Sequence, residues 1–434
     1  MPQLSPPRTV LEIARKLEDA GFEAWCVGGA VRDALLGEPH LDWDLATSAT
    51  PQQVREIFGS KRIVPVGIEF GTIGVLDRER RLHEVTTFRR DIRTDGRHAE
   101  VEFGASLEED LARRDFTMNA IAYSPFRDEI RDPFSGRDDL ARHLVRAVGD
   151  PEARMREDRL RALRAIRFAA RFGFSIDPPT LAAIESSSPH LGRLSAERVK
   201  QELEKTMEQV ARPSVALKLW RQTGALGTLV PALGTLNDET LLALDFLAKP
   251  GSERRPYRRL LRIALLFVTL GPAAARSSLA ALRFSRQEIA RITSLAAAWS
   301  AIGEAMTRAA MAEVPSDAQL RRWVAVISRL DVGLFLRLAS ALWEAHRVVG
   351  QDAPSRRATR ALYRRMQRVS LRDPIEIRDL AVDGDDLQKA GIRPGPRIGK
   401  ILQLLLDAVL EDPARNTRDS LLREAKRLGA ELPD

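Results

Sequence analysis

Asp42-Trp43-Asp44 is the first group in the chain whose residue types and spacing suit chemistry. On a strand, residues two apart face the same way, so both carboxylates converge while Trp43 turns into packing. Two convergent hard oxygens suit Mg²⁺, which commonly takes one or two carboxylates and completes its octahedron with water and phosphate oxygens. By itself an Asp-x-Asp is an ordinary turn or surface motif. It gains meaning from Gly28-Gly29-Ala30-Val31-Arg32-Asp33 just before it. A Gly28-Gly29 turn between strand and helix lets backbone N–H groups approach a phosphate, and Arg32 stands where it can add a contact. Glu84 lies within His83–Phe88, among β-branched and aromatic neighbours. Across a sheet from the aspartates it would complete a two-metal site near an attacking hydroxyl; otherwise it is an edge charge.

Two further clusters carry chemistry. Arg113-Arg114-Asp115-Phe116-Thr117-Met118-Asn119-Ala120 reads as a helix start whose Arg114, Asp115 and Asn119 can reach a triphosphate and a ribose. Glu157-Asp158-Arg159-Leu160-Arg161 reads as the opening of a long helix, with Asp158 and Arg161 one turn apart. Such a pair is commonly a solvated salt bridge worth little. It can also template a base: the carboxylate accepts from an exocyclic amino group while the guanidinium donates to the neighbouring ring nitrogen. Cytosine and adenine present that pattern; uracil and guanine invert it and leave polar groups unpaired. The pair therefore predicts CTP and ATP as substrates over UTP and GTP. The six histidines form no metal-spaced or His-Asp cluster.

The elements that must position these groups change character along the chain. Up to about residue 150, short β-like runs (Phe22–Val27, Asp42–Ala46, Lys61–Val66, Thr72–Leu76, His83–Phe88) alternate with helical stretches. Thr50-Pro51-Gln52-Gln53 reads as a capped helix start. From Pro151 on, Ala, Leu, Arg and Glu recur at helical spacing and strand signals nearly vanish. The expected fold class is α+β: a mixed-sheet head followed by a long all-α arm. At 434 residues, two to four structural units are expected. No apolar run approaches the roughly 20 residues that cross a bilayer, and the first residues lack the order of a secretory signal. The single cysteine, Cys26, excludes a disulfide framework or a cysteine zinc site within one chain. These features predict a cytoplasmic protein, and nothing in the sequence points to a protein partner. The net charge of +8 favours a polyanion, although an Arg-rich composition alone gives the same balance. The runs Arg254–Arg259 and Arg356–Arg368 fit phosphate-backbone contact or a solvated helix face.

Taken in order, GGAVRDALLG, DWDLATSATP, VPVGIEFGTIGV, HEVTTFR, DGRHAEVEF, LEEDLARRDFTMNAIAY, DPFSGRDDL, REDRLRALRAIRFAARFGF and SAERVKQELEK closely resemble the bacterial-type (class II) tRNA nucleotidyltransferase and poly(A) polymerase family. The likeness resumes at DGDDLQKAGIRPGPRIGKILQLLLDAVL. The resemblance implies a catalytic nucleotidyltransferase head (1–150), a base-recognising neck (151–206), and an RNA-binding body (207–345) and tail (346–434). NTP would bind between head and neck, and tRNA along body and tail. It implies Asp42 and Asp44 as metal carboxylates with Glu84 as the third acid. Gly28 belongs to the same nucleotide-binding turn, and Gly29, Arg32 and Arg114 match triphosphate and ribose contacts. Asp158 and Arg161 match the C/A-selecting pair, and Arg164 and Arg167 nucleotide-contacting arginines. Nine residues beyond Asp158, however, is about two and a half turns, which sets Arg167 on roughly the opposite side. Arg198 and Glu202 match residues bracing the neck helices. The implied reaction is attack of the tRNA 3′-hydroxyl on the α-phosphate of CTP or ATP, with Mg²⁺ as cofactor. Asp91–Phe103 resembles the loop associated with the switch from C to A addition, with Ala99 in place of an expected proline. A-only, CC-only and poly(A)-adding enzymes remain open as alternatives, though VPVGIEFGTIGV is less basic than is usual for poly(A) polymerases. A non-catalytic RNA-binding relative would be free to lose the acidic set, and a small-molecule nucleotidyltransferase would not need the long basic arm.

Overall fold

The computed structural model describes residues 4–38, 43–94, 99–247, 257–312 and 314–431. The chain divides into two compact units, Met1–Pro231 and Ala232–Asp434. Asp42 and the arginines at 254 and 255 lie outside the described residues.

The first unit opens with α1 (Arg8–Asp19), whose buried Val10, Ile13, Ala14 and Leu17 make an apolar stripe at helical spacing. β1 (Ala24–Val27), α2 (Gly29–Leu35), β2 (Asp44–Thr47) and α3 (Pro51–Phe58) follow. The expected cap on α3 is present: Thr50 accepts from the Gln53 N–H, and the Gln53 side chain accepts from the Thr50 N–H. Next come β3 (Ile63–Gly67), β4 (Thr72–Leu76), β5 (Leu82–Thr87), β6 (Arg89–Thr94), β7 (Ala99–Phe103) and α4 (Leu107–Ala112). β8 (Ala122–Ser124), β9 (Glu129–Arg131), α5 (Gly136–Ala141) and β10 (Leu144–Val145) complete the α/β part. Seven strands form one sheet in the order β3-β4-β5-β2-β1-β8-β9. All its pairs are antiparallel except β2 with β5, which is parallel. On one face, Trp25, Val27 and Ala46 form a core with Leu107 and Leu111 of α4. By register, buried Cys26, Leu45, Val85 and Ile73 share the other face.

Helices dominate the rest of this unit: α6 (Pro151–Glu157), α7 (Leu160–Phe172), α8 (Pro178–Ser187), α9 (Ala196–Gln209), α10 (Pro213–Gln222) and α11 (Ala225–Leu229). The one sheet element after residue 150 among the described residues is β11 (Ser175–Ile176), paired in parallel with β10. The expected single helix from Glu157 is instead two. Asp158 has an extended backbone (φ −145°, ψ 103°) and separates α6 from α7. The Arg113–Ala120 cluster likewise follows the end of α4 and runs through a 3₁₀ turn at Thr117–Asn119; it is not a helix start.

The second unit is helical: α12 (Asp238–Ala243), α13 (Tyr257–Val268), α14 (Pro272–Ala281), α15 (Arg286–Ala312), α16 (Asp317–Ile327), α17 (Val332–Val348), α18 (Arg356–Arg372), α19 (Gly384–Lys389), α20 (Pro396–Glu411) and α21 (Arg418–Glu431). α18 buries Leu362, Met366 and Val369 and turns Arg357, Arg360, Arg364 and Arg368 outward. Arg321 of α16 donates to the carbonyls of Leu410 (2.7 Å) and Glu411 (3.0 Å), satisfying the C-terminal end of α20. No described helix is long and apolar enough to cross a membrane.

Candidate active site

β2 and β5 run parallel, with Leu45 beside Val85 and Ala46 beside Thr86. One step back along that register sets Asp44 level with Glu84, and the pleat turns both carboxylates to one face. Asp44 is half-buried and Glu84 exposed. Trp43 is buried, as expected of its packing role. Two carboxylates level on adjacent strands form a hard oxygen pair suited to a divalent cation. Among the described residues no group of three His, Cys, Asp or Glu gathers for a metal. Behind the pair, burial pushes the Cys26 thiol up to about 12, and the Asp44 charge adds to the effect.

At the neighbouring end of β1 the chain turns through Gly28 into α2, which begins at Gly29. Gly28 has φ +73°, and a Cβ there would lie 2.9 Å from Arg114 Nη1. The backbone therefore favours glycine here, and its bare Cα leaves room for the Arg114 guanidinium against the turn. Arg114 is anchored by Asp110 (3.2 Å), while its buried Nε–H has no partner. An orphaned donor beneath a glycine turn is what an anionic ligand would satisfy.

Arg32 is placed differently from the sequence expectation of a phosphate contact. Its guanidinium is 3% exposed, bonds Asp33 (2.7 Å) and Asn119 (2.6 Å), and stacks near Phe168 and Phe172. Burial lowers its pKa against the opposing pull of Asp33. Asp33 also receives Arg171 (3.1 Å), and Asn119 donates to Asp115 (2.9 Å). Asp115 accepts both Nε and Nη2 of Arg164 (2.8 and 2.6 Å). Burial alone would raise the Asp115 carboxyl, but Arg164, Asn119 and the Phe116 N–H hold it down at about 2. This chain of bonds ties α2 and the 3₁₀ turn to α7.

Asp158 accepts from the Leu160 N–H (3.0 Å) and from Arg198 Nη2 of α9 (2.7 Å). Arg161 donates to Glu157 (2.7 Å) and to the carbonyls of Arg154 (3.2 Å) and Arg113 (3.1 Å). Those bonds take three of the five guanidinium N–H groups and leave two. Arg167, which the resemblance matches to a nucleotide contact, is 3% exposed, its Nε meets Glu202, and its Nη1 donates to Gln209 (2.9 Å). Arg198 and Glu202 do brace the neck helices, Arg198 bonding Asp158 and Glu202 bonding Arg167. The sequence reading missed Asp110, which carries both Arg113 and Arg114, and the aromatic pair beside Arg32. Asp110's spacing three and four residues before the two arginines was the available signal. The Asp91–Phe103 segment is an antiparallel hairpin of β6 and β7, with residues 95–98 outside the described set.

A mixed sheet presenting paired carboxylates beside a glycine turn, followed by helices, defines a nucleotidyltransferase-type head. Residues 24–146 match the poly A polymerase head domain, 173–236 the probable RNA and SrmB-binding site of polymerase A, and 259–425 the putative tRNA nucleotidyltransferase domain 2. The chain is 35% identical to a CCA-adding enzyme of Limosilactobacillus fermentum, over 98% of this chain and 97% of that one. It is 36% identical to one of Latilactobacillus sakei, over 96% and 97%. The crystal structure of the Bacillus stearothermophilus CCA-adding enzyme in complex with CTP superposes with a TM-score of 0.76 at 31% identity, covering 98% of this chain and all of that one. The chain belongs to the bacterial CCA-adding tRNA nucleotidyltransferase family, in which divalent-metal dependence is general.

Proposed function

We propose that this enzyme completes or repairs the 3′ end of tRNA by adding C and A from CTP and ATP without a nucleic-acid template. The observation that carries the reading is near-full-length likeness to proteins named CCA-adding enzymes, one of them solved with CTP. Asp42, Asp44 and Glu84 would hold Mg²⁺, which when bound lowers the pKa of the attacking hydroxyl and steadies the pyrophosphate leaving group. Gly28, Gly29 and Arg114 would receive the triphosphate. Arg32 and Arg167 are positioning residues in this reading, the first fixing α2 against α7 and the second fixing α7 against α9. Arg164 holds Asp115 and flanks the base site.

Asp158 keeps lone pairs for an exocyclic amino group beyond its two described bonds, and Arg161 keeps two N–H groups for a ring nitrogen. Arg198 and Glu157 fix the two side chains, so the pattern cytosine and adenine share is rigidly set. The chain then comprises a head (1–150), neck (151–206), body (207–345) and tail (346–434), the last two gripping tRNA. A cytoplasmic site of action follows from the substrate.

The test supplies tRNA transcripts lacking CCA, ending in CC, or ending in CCA with each NTP, singly and mixed, and Mg²⁺. Incorporation of C, C and A that then stops is expected. Unlimited A addition to any RNA would make it a poly(A) polymerase, and C-only or A-only addition would make it a specialised enzyme. Asp158→Ala should let UTP or GTP in while leaving metal dependence unchanged; intact base choice would refute the template.

A further inference from the structure

On the face that carries Asp44 and Glu84, the sheet continues through β4 to β3, and the side chains there are not charged. Gly74 pairs with Glu84, so it lies on the same face. A Cβ on Gly74 would lie 2.4 Å from Leu82 Cδ1 and 3.0 Å from Val66 Cγ2. Leu82 comes from β5, two residues before Glu84, and Val66 from β3. The two side chains thus close over a glycine directly beside the third carboxylate. Both are open to solvent, Val66 at 43% and Leu82 at 46% exposure. On the far side of β4, Ile73 and Val75 are buried core residues, so these two are not a spill-over of that core.

The order across the sheet decides what this shelf can serve. The glycine turn and Arg114 lie at the end of β1, Asp44 on β2, Glu84 on β5, then the shelf on β4 and β3. Arg161, of the base-selecting pair, bonds the Arg113 carbonyl at the end of α4, which packs over β1 and β2. The polar groups named above for the incoming nucleotide therefore lie on the β1 flank, and the Thr72 and Thr86 hydroxyls, further along β4 and β5, face each other at 3.1 Å. On the same face, α4 covers β1 and β2 while Val66 and Leu82 are exposed, so the β4–β3 flank is open to a second reactant.

We infer that Val66, Gly74 and Leu82 seat the 3′-terminal nucleoside of the acceptor RNA; this rests on the function proposed above. The chemistry matches the task. The terminal nucleoside of the acceptor changes with each addition, and an apolar shelf offers every base or ribose the same contact, with no donor or acceptor to discriminate. Selection is left to the polar flank, and the shelf only positions the attacking hydroxyl.

Leu82→Ser and Val66→Ser test this, with Leu82→Met as the conservative control. Both sites are exposed, so the melting temperature should stay unchanged. The expected result is a KM for CCA-less tRNA raised about tenfold, equally for RNAs ending in each of the four bases, with KM for CTP unchanged and Leu82→Met near wild type. A photoreactive side chain at position 66 should crosslink to the last nucleotide of the RNA. An unchanged tRNA KM, a KM for CTP that rises in step, or a crosslink only to internal nucleotides would overturn the shelf. Failure of the wild-type enzyme to extend CCA-less tRNA would instead overturn the proposed function, so the two failures are distinguishable.

Discussion

Arginine is the dominant cation in both units, yet the α7 network of the first and the outer face of α18 in the second use it in opposite ways. In the first, Arg32 and Arg167 are buried and committed to Asp33, Asn119, Glu202 and Gln209, with Arg164 bonded to Asp115 beside them. In the second, α18 sends Arg357, Arg360, Arg364 and Arg368 into solvent along one face. A buried guanidinium cannot be left unpaired, so it fixes the relative placement of the elements that supply its partners. An exposed row fixes nothing internal and presents positive charge to a polyanion. Equal numbers of arginines in a sequence can thus mean rigidity in one region and adhesion in another.

The sharpest way to separate site from scaffold is Asp44→Asn or Glu84→Gln. Each should lower kcat on the order of 10³-fold with an unchanged melting temperature; a fall in stability instead would make the carboxylates structural. Next in size is Glu202→Gln, which leaves Arg167 buried without its charge partner. We expect a loss of about 3–5 kcal/mol by denaturant titration, against under about 0.5 kcal/mol for Arg357→Gln. Similar losses from both would erase the contrast between the units.

Acid sharpens the same comparison. Asp115 falls from 3.8 to about 2 on folding. A depressed carboxyl stabilises fully above its unfolded pKa and loses that contribution as pH falls through its folded value. The network should therefore contribute roughly 2 kcal/mol at pH 6 that fades between about pH 4 and pH 2. Asp115→Asn should flatten that part of the stability–pH curve; an unaltered acid limb would refute the assignment. The smallest effects belong to α18. Replacing Arg357, Arg360, Arg364 or Arg368 with Gln should weaken tRNA binding a few-fold and reduce the salt slope by up to about one per residue. kcat at saturating tRNA should stay constant, and an unchanged salt slope would leave α18 as a solvated face.

The order of elements was readable because it follows local rules. Thr72–Leu76 has the bounds of the β-like run read there, and the Thr50 cap has the bonds its spacing implies. Partners far along the chain were not readable. Arg32 reads as a phosphate contact from the glycine turn before it, but it bonds the adjacent Asp33 and also Asn119, 87 residues away. Asp158 lies outside α7, so counting turns from it does not place Arg167; the bond to Glu202, 35 residues on, does. The Asp158–Arg161 pair was visible, but the extended backbone at Asp158 was not: nothing in Glu-Asp-Arg-Leu-Arg forbids a helix. The break is held by Arg198 from another helix. Ranking side chains by type and spacing therefore selects candidates, while their internal bonds are legible only in the tertiary structure.

Cys26 has a use beyond its place in the core. It is the only thiol in the chain, fully buried on β1, and held protonated to about pH 12. Since only the thiolate is nucleophilic, maleimides and mild oxidants at neutral pH should leave the native protein untouched. The wild-type sequence is therefore already a silent background for labelling. One cysteine introduced on the open wing of the sheet or on the outer face of α18 would be the sole reactive position, ready for a fluorophore or spin label while the enzyme works.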